Sequence, residues 1–143
     1  QVTTGGQKVL LVKPLTFMNR SGECVQPLLR FYQVPPEDLV VVCDDMNLPL
    51  GKLRWRAGGS SGGQKGLADI LQRLGTEQVP RLRVGIGRPP DQMDPVNWVL
   101  ARFRSDQQQQ VQQSLASSAD SIQVWVSKGL TEVMNRYNKS SDS

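Results

Sequence analysis

The sequence predicts a layered α/β domain, and three observations carry that expectation. Apolar, β-branched runs at residues 7–13 (QKVLLVK), 39–43 (LVVVC) and 82–86 (LRVGI) read as strands. The stretches between them repeat apolar residues at helical spacing, and strands alternating with helices build a sheet with helices packed on it. A glycine-rich loop, GGSSGGQKG, joins a basic strand to a helix, in the region where α/β sheets bind ligands. At 143 residues the chain is one domain by size and long enough to bury a real core.

Taken in order, the first strand is closed by Pro14, and PLTFMN follows as its loop. Ser21 is placed to cap a helix whose apolar positions Cys24, Val25, Leu28, Leu29 and Tyr32 recur every three or four residues. Pro27 falls inside that helix and should remove a hydrogen bond or kink it. PPED at residues 35–38 is a turn, and the run at 39–43 is the mark of a strand covered on both faces. LPLG then turns the chain. Beyond it Lys52, Arg54 and Arg56 alternate with Leu53, Trp55 and Ala57, which puts three cations on one face of a strand.

After the glycine loop, Leu67, Ile70, Leu71 and Leu74 make an amphipathic helix ended by Gly75. The strand at 82–86 is closed by GRPP, and residues 96–103 read as a short helix. Ser105, with Gln108 as capping-box partner, begins a longer helix. Its glutamines are solvated, and Val111, Leu115, Ala119, Ile122 and Val126 set its apolar face. Residues 130–137 form a last helix. The domain is therefore placed at 1–137, with 138–143 (NKSSDS) as a disordered tail.

Composition narrows the function. No apolar run approaches the roughly 20 residues needed to span a bilayer, and QVTTGGQK carries no secretory pattern. The first residue is Gln rather than Met, so a segment upstream is expected. Net charge is +4, and it is uneven: residues 52–104 carry +6 and the rest −2. A basic centre points to a polyanion, nucleic acid first, against the plainer reading of a solvated surface. Cys24 and Cys43 sit in apolar surroundings without ligand spacing and read as reduced core thiols. With no histidine and no cysteine cluster, a zinc site is not expected. Two Asn-X-Ser sequons are read as chance.

The candidate site lies in VVVCDDMNLPLGKLRWRAGGSSGGQKGL. Asp44 and Asp45 stand where a strand ends, followed by the cationic strand and the glycine loop. Glycines let backbone approach a ligand, and the helix beyond offers unpaired N–H groups to an anion. The loop lacks the Gly-Lys-Ser/Thr of a Walker motif, and Gly85-Ile86-Gly87 lacks the third glycine of a dinucleotide fingerprint. A tight strand-to-helix connection is the plainer alternative. Adjacent aspartates point apart, so they are not an acid/base pair by themselves. Either they bond their own loop, or one orients a histidine, and this chain has none.

These residues also carry a likeness. From residue 9 through 137 the chain resembles the bacterial-type peptidyl-tRNA hydrolases, in PLTFMNRSG, DDMNLPLG, the glycine loop with Gly66-Leu67, RLRVGIGRP, and Leu130-Thr131 with Asn135-Arg136. The resemblance implies a three-layer α/β sandwich of phosphorylase/hydrolase-like type, its sheet mixed and mostly parallel, here without its first strand. It implies hydrolysis of the ester between a nascent peptide and tRNA, by a cytoplasmic enzyme that is metal-free, cofactor-free and monomeric when complete. In that family a histidine activates water and an aspartate stabilises its protonated form, and Asp44 falls on the aspartate's position. Phe17 and Asn19 fall on substrate-contacting positions, the Asn19 amide being suited to an oxyanion. Arg54, Arg56 and Arg83 would hold tRNA phosphates.

Two departures stand out. The family's histidine lies in an N-terminal segment, in a Thr-Arg-His-Asn context, that this chain does not contain. Gln64-Lys65 replaces the usual His-Asn of the glycine loop, which should alter substrate contacts rather than chemistry. The expectation is an ordinary hydrolase seen without its first strand and base. The alternatives are a hydrolase-like RNA-binding module without catalysis, and a generic anion-binding domain.

Overall fold

The structure, a computed structural model, describes residues 2–4, 6–13, 20–87 and 105–138. The loop at 14–19, the short helix expected at 96–103 and residues 139–143 lie outside the described residues. Two compact units are present: Gln1–Cys43 with Arg56–Arg81, and Asp44–Trp55 with Leu82–Ser143.

The first unit opens with β1 (Val2–Thr4) and β2 (Gln7–Val9), an antiparallel ribbon with Val2 opposite Val9, turned through Gly6 at φ 78°. This corrects the expected buried strand over 7–13. The strand stops at Val9, and Leu11 is 71% exposed, because an apolar run does not by itself supply a surface to cover it. Helix α1 (Gly22–Tyr32) runs through Pro27. Ser21 does not cap it with its side chain: Ser21 has helical backbone angles, and its carbonyl accepts from Cys24 N and Val25 N. Gly22 N donates instead to Asp69 Oδ2 at 2.6 Å, so the dipole's positive end is met by a carboxylate from α2 (Lys65–Leu74). Gly22 permits that approach, since a Cβ there would stand 2.8 Å from the same oxygen. Arg73 ties the two helices further, pairing with Glu23 and Asp69 at 3.2 Å each.

Helix α2 ends as its sequence indicates, at Gly75 in the left-handed region with its N–H donating to Leu71 O. Leu67, Leu71 and Val79 pack with Cys43 into the first core, and Leu39, Val41 and Leu74 flank it. Cys43 is buried and outside any disulfide, as expected, and Cys24 is half-buried.

Strand β3 (Val41–Asp45) begins two residues later than its apolar run, after a 3-10 turn at Pro36–Asp38. With β4 (Leu53–Arg56) and β5 (Arg81–Gly85) it forms a three-stranded sheet in the order β3-β5-β4. Val41 N donates to Pro80 O and Ile86 N to Asp45 O, so β5 runs parallel to β3. Gly59 N donates to Glu77 O and Gly85 N to Lys52 O; the partner falls from 59 to 52 as the chain advances from 77 to 85, which makes β5 antiparallel to β4. The described sheet is mixed. Val42 is 52% exposed, so β3, expected to be covered on both faces, is covered on one by the described residues.

In the second unit Leu53, Trp55, Leu82 and Val133 are buried. Gly85 lies directly under the turn after β3: a Cβ there would collide with Pro49 O. Helix α3 (Ser105–Lys128) forms where its period indicates, and α4 (Leu130–Tyr137) follows after Gly129. The side chains of the capping box at the start of α3 are only partly among the described residues. The buried face of α3 differs from the expected one. Ser114, Ser118 and Ser121 are buried while Leu115 is 62% exposed, because small side chains allow close approach that Leu would block. Trp125 stacks on Trp55, ring centroids 6.4 Å apart.

Candidate functional site

Strand alternation separates the two aspartates of β3. Asp45 shares a face with buried Cys43, and Asp44 shares the opposite face with exposed Val42. Asp45 is fully engaged. Its Oδ1 accepts from Asn47 N at 2.8 Å, an Asx turn, and its Oδ2 lies 3.6 Å from Arg83 Nη1. Both side chains of that ion pair are largely buried, 13% and 16% exposed. Asp45 therefore takes a loop-bonding role, one of the two weighed for the pair. Asp44 is half-buried and stands outside that turn.

The cationic strand has the expected alternation. Leu53 and Trp55 are buried, Lys52 and Arg54 half-buried, and Arg56 exposed. Asp44, Lys52, Arg54 and Arg83 all belong to the second unit, Asp44 near the end of β3, Lys52 just before β4, Arg54 within it and Arg83 in the middle of β5. Of the residues assigned from the sequence, Phe17 and Asn19 lie outside the described residues.

The glycine loop belongs to the first unit, and positive φ angles at Gly59, Gly62 and Gly63 show why glycine is needed there. Gln64 is the N-cap of α2, its Oε1 accepting from Gly66 N at 2.9 Å and Leu67 N at 3.3 Å. A residue assigned to substrate contact is thus also the device that starts the helix. Lys65, the first helical residue, is exposed. Sequence reasoning gave no role to Arg81. Its guanidinium is completely buried and donates to Val79 O, Ser60 O and Glu77 O at 3.1, 2.6 and 3.1 Å. It anchors the loop's backbone, and a lone Arg at a strand start carries no local signal of that.

A depression of about 460 Å³ borders the same loop, lined by Ser60, Ser61, Gln72, Thr76 and Glu77 among others. It lies by the C-terminal end of α2, where carbonyls and Glu77 repel an anion.

Among the described residues no group of three or more His, Cys, Asp and Glu is placed to hold a metal, and no helix is long and apolar enough to cross a membrane.

A mixed sheet with helices, carrying a carboxylate near the end of β3 and cations along β4 two strands away, defines an α/β domain. The family profile described as peptidyl-tRNA hydrolase matches residues 1–143. Over 135 residues the chain is 46% identical to peptidyl-tRNA hydrolase of Rhodopirellula baltica, covering 94% of this chain and 71% of that one. Over 133 residues it is 46% identical to that of Bacillus subtilis, covering 93% and 71%. Among solved structures it superposes on peptidyl-tRNA hydrolase from Acinetobacter baumannii with TM-score 0.79 and 32% identity, covering 88% of this chain and 64% of that one. On a mutant of the same enzyme the TM-score is 0.87, with 32% identity and coverages of 96% and 69%. The chain belongs to the peptidyl-tRNA hydrolase family. It spans a little under two thirds of the length of some solved relatives.

Proposed function

We propose that this chain is the greater part of an enzyme that hydrolyses the ester of peptidyl-tRNA, releasing peptide and tRNA for reuse in translation. The observation that carries the reading is the family match along the whole chain, with Asp44 at the end of β3. Asp44 orients the histidine base and stabilises its cationic form as water attacks the ester carbonyl. That histidine is not among these 143 residues. Asn19 donates its amide to the developing oxyanion, and Phe17 packs against the acceptor end. Arg54, Arg56 and Arg83 hold tRNA phosphates, while Gln64 and Lys65 line the approach to the glycine loop.

The three-layer arrangement and a further strand beyond β3 belong to the same proposal. Val42, exposed on β3 at the edge of the described sheet, is apolar surface that a further layer on that face would cover. It lies on the face that carries Asp44, so the same element could bring the base to its partner. The enzyme is read as cytoplasmic, monomeric and free of metal and cofactor.

The test is peptidyl-tRNA hydrolysis by the complete natural protein and its Asp44→Asn variant. A loss on the order of 10³–10⁴ in kcat is expected for a misoriented base. Wild-type turnover in the variant would remove Asp44 from the mechanism. RNA affinity with no turnover in the wild type would replace the enzyme with a binding module.

A further inference from the structure

A second depression, of about 240 Å³, lies between the turn after β3 and helix α3. Lys52, Gln110, Gln113, Ser114 and Ser117 line it, with the backbone of Gly51. Among the described residues the lining offers an ammonium, two carboxamides and two hydroxyls beside the apolar Leu50, and no carboxylate. It is smaller than the roughly 300–1,000 Å³ of pockets that take whole small molecules, so it suits one group of a larger ligand.

Ser114 supplies the second observation. It is 4% exposed, and its Oγ has no hydrogen-bond partner. The other buried serines of α3 behave differently. Ser118 Oγ donates to Ser114 O at 2.7 Å, and Ser121 Oγ donates to Ser118 O at 2.8 Å. Back-bonding to the preceding turn is the ordinary fate of a helical serine, and Ser114 has not taken it. A buried hydroxyl left unbonded, in a lining that also includes a lysine, asks for an acceptor. Lys52 also begins the cationic stripe that continues through Arg54, so the depression extends a track already basic.

We propose that this depression is a subsite for a phosphate group, gripped by Lys52 Nζ and completed by the carboxamides of Gln110 and Gln113 and the hydroxyls of Ser114 and Ser117. This deepens the RNA-binding reading and rests on it: the group is a backbone phosphate of the bound tRNA. Charge comes from Lys52 alone, and the neutral donors set the direction of approach. The glutamine-rich face of α3 then has a use beyond solvation.

The complete protein is titrated with a tRNA acceptor-stem duplex over a range of salt. Wild type is compared with Lys52→Ala, Gln110→Ala/Gln113→Ala and Ser114→Ala. Inorganic phosphate is titrated separately while the α3 amide signals are followed by NMR. Lys52→Ala is expected to weaken duplex binding about 5-fold and to flatten the salt slope by about one phosphate's share. The double glutamine variant should weaken binding about 3-fold with the slope unchanged, since it removes donors without charge. Ser114→Ala should weaken binding and melt no lower than wild type, since the hydroxyl it removes makes no bond in the free protein. Wild-type binding by the glutamine and Ser114 variants would overturn the subsite and leave Lys52 a surface cation. Suppose the duplex fails to bind, but phosphate shifts the α3 amides in wild type and not in Lys52→Ala. Then the RNA reading falls, and the subsite stands as one for free phosphate. No response to either probe would overturn it.

Discussion

Asn138 holds Trp55 by both of its backbone groups: Asn138 Nδ2 donates to Trp55 O at 2.9 Å, and Trp55 N donates to Asn138 Oδ1 at 2.8 Å. Trp55 lies on β4, an outer strand of its sheet, so one asparagine side chain occupies the place a neighbouring strand would take. Trp55 itself is fully buried against Trp125. Two hydrogen bonds at about 1 kcal/mol each predict a loss of about 2 kcal/mol for Asn138→Ala, read from urea denaturation. An unchanged midpoint would show that the contact is not structural.

The serine face of α3 makes a second prediction. Ser121 is completely buried, and Ser121→Leu forces extra volume into a filled space, at about 1–3 kcal/mol. Leu115→Ser, on the exposed side, should stay within about 0.5 kcal/mol. The reverse ranking in thermal melts would restore the apolar register read from the sequence.

Gln64 caps α2 through one oxygen that accepts two backbone N–H groups. Gln64→Ala should lower stability by about 1 kcal/mol, and Gln64→Ser should recover part of it, because a shorter oxygen acceptor still caps. Equal stability of all three proteins would leave Gln64 with a substrate role alone.

The Asp45–Arg83 pair gives a fourth. Its two side chains are mostly shielded from water, so breaking it strands a charge. Asp45→Asn keeps the acceptor for Asn47 N and removes only the ionic partner. It should cost on the order of 1–3 kcal/mol and change the RNA affinity contributed by Arg83. Arg83→Ala should weaken RNA binding and reduce the salt slope by roughly 0.7–0.9 per lost phosphate contact. A salt slope identical to wild type would confine Arg83 to its ion pair.

Much of this protein is written locally. The period-3.6 pattern determines α1, α2, α3 and α4, because a helix satisfies its own backbone and declares itself in neighbouring residues. Gly75 ends α2, and Gly59, Gly62 and Gly63 adopt positive φ, for a reason contained in their own backbones. The alternation of Lys52, Arg54 and Arg56 with buried Leu53 and Trp55 is equally local, as is the basic character of the centre. Tertiary structure decided everything that needs a distant partner. It chose Asp69 over Ser21 to meet the start of α1, and it sent Asp45 to Arg83 while leaving Asp44 on the other face of the strand. It turned α3 to bury serines rather than Leu115, and it left the apolar residues 10–12 exposed. Hydropathy ranks what a residue would gain from burial, but only the approach of another element, with its particular shape and charge, supplies the surface that buries it.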